Sequence, residues 1–164
     1  MKKSILNITA LKKNTYKKPL NYYIEENSVT IWNTCGTFCI KCSKILFELE
    51  IQNNIPTNNI QEPPEAVKNV FNGYVDAEML IHTFITYKLQ DKNAYLFQNK
   101  KYKYISPIDT ELLKIINNIA DFTAWQYKAN TGILFRNDFL KVILFPLRND
   151  RIKENIIELG ESLK

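Results

Sequence analysis

Short β-prone runs separated by turn residues recur along most of the chain, and that spacing restricts the fold more than any other feature. Residues 21–25 and 29–33 flank Glu26-Asn27-Ser28, which predicts a hairpin. Thr34-Cys35-Gly36 supplies a second turn, followed by a strand over 37–42. Residues 45–51 begin apolar and pass into alternation, which predicts a further strand, and 52–64 shift to Asn, Thr, Gln and Pro as a long loop. A short helix is expected to start over 64–68 and end near Asn72-Gly73. Residues 75–89 fit either period, and their length favours a helix capped by Asp76. A hairpin over 94–98 and 102–105 turns at Asn99-Lys100 and is broken by Ser106-Pro107. A helix over 111–119 is expected next, capped by Asp109 or Thr110, with Leu112, Leu113, Ile115, Ile116 and Ile119 on its apolar face. Strands over 122–128, 133–136 and 139–145 follow, Pro146 ends the last, and Asp150 caps a terminal helix at about 151–163. This order predicts an α+β fold: antiparallel sheet with helices packed on one face. No internal repeat is visible.

The chain's 164 residues suit one domain spanning 1–164, and the 45% hydrophobic and 12% aromatic fractions predict a packed core. Met1-Lys2-Lys3 resembles the start of a signal peptide, but Asn7, Thr9 and Lys12-Lys13 interrupt any apolar stretch after it. No run approaches a membrane span, so a cytosolic protein of the bacterial host cell, without membrane contact, is expected. In that reducing compartment the three cysteines need not pair. The net charge of +5 is almost all Lys, with Arg only at 136, 148 and 151. Abundant Asn, Ile and Lys are what AT-rich coding DNA produces, so lysine content alone says little about nucleic acid.

Cys35-x3-Cys39-x2-Cys42 has the spacing of the cluster-binding triad of radical S-adenosylmethionine enzymes. That chemistry needs a loop on which three sulfurs converge. A strand over 37–42 instead turns Cys39 and Cys42 to opposite faces, and the four glycines are isolated, so a cluster enzyme is a remote alternative. His82 is the lone histidine, without a nucleophile elbow, and reads as structural. Asp109 and Glu111 read as a helix cap and its dipole partner. A non-enzyme without cofactor or bound metal is therefore expected. Two basic clusters carry aromatics: Lys12, Lys13, Lys17 and Lys18 around Tyr16, and Lys100, Lys101 and Lys103 beside Tyr102 and Tyr104. Each is either a solvated face or a stripe that follows a phosphate backbone.

Residues 28–40, centred on Thr34-Cys35-Gly36, and residues 142–148, centred on Phe145-Pro146-Leu147-Arg148, resemble two stretches of bacterial DNA sliding clamps. Thr34, Gly36, Pro146 and Arg148 match directly, whereas Cys35, Thr37 and Phe38 replace an Asp, a His and an Arg of the clamp motif. The resemblance implies a clamp-domain-like sheet with helices. It also implies a cleft for the peptide tails of polymerases, formed here by Thr34, Gly36, Phe38, Pro146, Leu147 and Arg148. The expectation is a binding protein of phage or mobile-element origin, with protein partners, DNA as a further partner, and assembly of several copies if DNA is encircled. The alternative is an inhibitor of a host defence nuclease, acting by occupying a protein or nucleic-acid site as anti-CRISPR proteins do.

Overall fold

The computed structural model describes residues 5–89, 91–99, 104–128 and 131–147. Lys100, Lys101, Lys103, Arg148 and the terminal helix expected at 151–163 lie outside the described residues. Helix α1 (Ile8–Lys13) precedes β1 (Leu20–Glu25), β2 (Ser28–Trp32) and β3 (Phe38–Ser43). A short α2 (Lys44–Leu46) winds on as a π-helix over Phe47–Gln52. Next come β4 (Thr57–Asn59), α3 (Glu65–Lys68), β5 (Glu78–Leu89), β6 (Lys92–Asn99), β7 (Tyr104–Asp109) and α4 (Thr110–Leu113). The last described strands are β8 (Thr123–Gln126), β9 (Ile133–Arg136) and β10 (Lys141–Leu144).

The strands form one sheet in the order β4-β1-β2-β3-β10-β9-β8-β5-β6-β7, antiparallel except for the β1–β4 pair. The fold is mixed α+β with a large, mostly antiparallel open sheet. Strand β5 leaves β8 after Leu80 and carries on against β6 alone. The β6–β7 limb then folds back over the sheet. Phe97 of β6 meets Phe135 of β9 edge-on at 5.3 Å, and Ser106 of β7 donates to Gln126 Oε1 at 2.9 Å.

Alternation along β3, β9 and β10 sorts the core into two faces. Ile40, Phe135 and Val142 are cross-strand neighbours in the main cluster, which α1, the π-helix and α4 cover with Leu11, Phe47, Ile51 and Leu113. Each such side chain contributes roughly 1.5–3 kcal/mol on burial. Cys39, Leu134 and Ile143 face the other way, beneath Trp32, Val70, Phe71, Tyr74 and Trp125. The helices that bury side chains, α1, the π-helix and α4, therefore cover one face, while the segment after α3 covers the second cluster. Tyr74 Oη anchors that segment by donating to the Gly132 carbonyl at 2.6 Å.

Read outward from the central β3–β10 pair, the sheet repeats itself. The run α1-β1-β2-β3 lies on one side, and α4-β8-β9-β10 lies on the other in mirrored order. Asparagines join the halves. Asn14 Nδ2, just after α1, donates to the Glu111 carbonyl at 3.2 Å, and Asn117 Nδ2, just after α4, donates to the Leu6 carbonyl at 3.1 Å. Leu6 and Ile116 form a bridge between them. Asn33 after β2 and Asn137 after β9 each accept two backbone N–H groups with Oδ1, fixing corresponding turns.

Four expectations are corrected. Residues 45–51 are helical: Ser43 Oγ caps the N–H of Leu46 at 3.2 Å, and Phe47 and Ile51, four apart, are the buried pair, while Ile45 and Leu49 are exposed. Residues 75–89 include a strand, because β6 and β8 both pair with β5. The helix expected to run to residue 119 stops at Leu113, because the backbone N–H of Asn117 is bonded to Ile5 and Ile116 is bridged to Leu6. Ser106-Pro107 lies within β7, where a proline is tolerated on an edge strand.

Candidate functional site

Three segments that the sequence nominates separately meet at the end of the sheet formed by the β2–β3 turn. Asn33, 1% exposed, is the hub. Its Oδ1 accepts from Thr37 N–H at 2.9 Å and Phe38 N–H at 3.4 Å. Its Nδ2 donates to Thr37 Oγ1 at 2.6 Å and to the Asn14 carbonyl at 3.0 Å. One side chain thus ties the turn to the α1–β1 loop. Thr37 then passes the link on, since its carbonyl accepts from Phe145 N–H at 3.0 Å. Beyond Pro146, Leu147 N–H donates to the Pro107 carbonyl at 2.9 Å, so residues 145–147 run as a strap from β10 to β7.

Thr34, Cys35 and Gly36 are exposed at the tip, and Gly36 takes φ +66, which favours glycine. Pro146 and Leu147 are half-buried and Phe145 is exposed. Phe38 is 1% exposed and belongs to the core, so it offers a partner no side-chain surface. Lys12, Lys13, Lys17 and Lys18 are all exposed. They surround buried Asn14 and Thr15, and the left-handed φ values of Tyr16 and Lys17 turn the chain sharply there. The second basic cluster and Arg148 lie outside the described residues.

The cysteines do not converge. Cys35 is exposed in the turn, Cys39 lies in the second cluster and Cys42 in the main one. Among the described residues no group of three or more His, Cys, Asp or Glu is placed to hold a metal ion. Burial pushes both the Cys39 and Cys42 thiols up to about 12, with Lys41 partly opposing the shift at Cys39. At pH 8, iodoacetamide is therefore expected to label Cys35 alone in the folded protein and all three cysteines in urea, as intact-mass spectrometry reads out. Rapid labelling of Cys39 or Cys42 without denaturant would contradict this placement.

Sequence reasoning missed Asn33, because a single asparagine after a strand looks like any turn residue. It also missed two clefts beside a bulge in β5. One, about 230 Å3, is lined chiefly by apolar groups including Met79, Phe84, Phe122 and Phe135. The other, about 500 Å3, lies between β5 and the α4 region, with Thr86, Tyr95 and Lys114 in its wall. His82, Phe84 and Ile119 belong to both.

No protein-family model, curated protein or solved structure matches the chain. Among the described residues no helix is long and apolar enough to cross a membrane.

Proposed function

We propose that the chain is a non-enzymatic, sliding-clamp-like binding domain. It holds short peptide tails of partner proteins between the Thr34–Gly36 turn and the strap at Pro146-Leu147. The observation that carries this reading is the run of hydrogen bonds from Asn14 through Asn33 and Thr37 to Phe145, which joins segments far apart in sequence. Exposed apolar and half-buried groups beside a fixed backbone turn suit a peptide that supplies large apolar side chains. Lys12 and Lys13 at the end of α1, and Lys17 and Lys18 on the loop held by the same asparagine, would face a phosphate backbone. Phe38 supports the turn from below and Arg148 continues the strap in sequence.

Titration of the full chain with fluorescent peptides copied from polymerase C-terminal tails tests the proposal. Saturable binding in the micromolar range, shifting the NMR signals of residues 34–37 and 145–147, is the expected result. No saturation up to about 1 mM would overturn it.

A further inference from the structure

The bulge in β5 is held by the chain's one histidine. The pairing of β5 with β6 slips between His82 and Thr86, and Phe84, at the slip, takes φ +59 and is 81% exposed. A left-handed conformation at a large aromatic residue needs specific support. His82 Nδ1 supplies it by accepting the N–H of Phe84 at 2.9 Å, which places the imidazole proton on Nε2. The two rings stack at 4.4 Å with 10° between their planes. Thr83 pins the other side: its Oγ1 donates to the Leu96 carbonyl at 2.8 Å and accepts from Ile85 N–H at 3.2 Å.

We propose that His82 is a proton-operated latch on the β5 bulge, with Phe84 as the part it releases. The neutral imidazole accepts the Phe84 N–H and keeps that ring where it lines both clefts. Protonation at Nδ1 turns the acceptor into a donor facing another donor. Phe84 then loses the bond that supports its left-handed backbone, the bulge relaxes, and the ring leaves the walls of both clefts. A cationic imidazole still attracts the face of an aromatic ring, but that attraction restores no acceptor for the N–H.

The surroundings favour the neutral form. From β6, the Tyr95 and Phe97 rings stand at 5.3 and 4.8 Å. From the α4 side, the charged group lining the larger cleft is Lys114, paired with Glu111 at 2.7 Å. Among the described residues, no carboxylate lines either cleft. Burial lowers the pKa of His82 from its ordinary value of 6.5. The unfolded chain therefore takes up the proton first, so stability is full above pH 6.5 and falls as the pH drops below it.

The test is a 1H–15N NMR titration of the full-length chain between about pH 8 and pH 5. The Phe84 amide is expected to move with the same midpoint as the His82 imidazole. His82→Asn, which keeps an acceptor but takes up no proton, is expected to leave that amide unresponsive. A stationary Phe84 amide while His82 titrates would overturn the latch, and so would a wild-type response in the Asn variant. If that variant fails to fold, the wild-type titration decides alone.

Discussion

Phe135→Ala is expected to lower the unfolding free energy by about 3–5 kcal/mol, the usual cost of emptying a large aromatic site in a core. Phe135 is 1% exposed on β9, beside Ala124 on β8 and Val142 on β10 in register. Its ring is also where the folded-back limb meets the main sheet, through the edge-on contact with Phe97. Collapse around the gap is restricted, because β9 is bonded on both sides and cannot move inward without breaking those ladders. Urea unfolding should show the midpoint shift. Phe135→Leu, which leaves a smaller void, should lose less. A loss below about 1 kcal/mol for the alanine variant would mean that the limb does not rest on this ring.

The second large effect is predicted for Asn33→Ala, at about 2–4 kcal/mol. The substitution removes little apolar contact. It strips the N–H groups of Thr37 and Phe38, together with the Asn14 carbonyl, of the partner that Asn33 provides. Each buried polar group left unmade costs roughly 1–3 kcal/mol, and half-buried Thr37 recovers part of this from water. The loss should be accompanied by altered NMR signals for Gly36 and for residues 14–18. Unchanged stability would show that the turn and the basic loop are not coupled through this side chain.

The sequence was most readable where a strand alternates cleanly and a turn residue ends it. The hairpin of β1 and β2, strand β3, and strands β8 to β10 follow that rule, and the opposite facing of Cys39 and Cys42 follows from the same parity. It misled where pattern and tertiary partner disagree. Ile45, Phe47, Leu49 and Ile51 alternate as a strand would, yet Ser43 starts a helix and only Phe47 and Ile51 are buried among those four. Residues 75–89 have the length of a helix, but two neighbouring strands recruit residues 78–89.

The near-repetition of α1-β1-β2-β3 by α4-β8-β9-β10 is hard to see in the sequence, because few side chains match beyond the paired asparagines Asn14 and Asn117 and Asn33 and Asn137. Of the candidate site, the Thr34-Cys35-Gly36 turn, the segment around Pro146 and the Lys12–Lys18 cluster were legible as separate motifs. Their meeting point was not, since Asn33 joins them through bonds to groups distant in the chain.

As proposed, the Gly36 turn and the strap act as one peptide-binding surface. Comparing the affinity of the wild type and a Pro146→Ala, Leu147→Ala double variant for a polymerase-tail peptide, with folding checked by circular dichroism, tests it most directly. A dissociation constant about tenfold larger, equivalent to about 1.4 kcal/mol, is expected in a variant that remains folded. Equal affinity in the two folded proteins would contradict it.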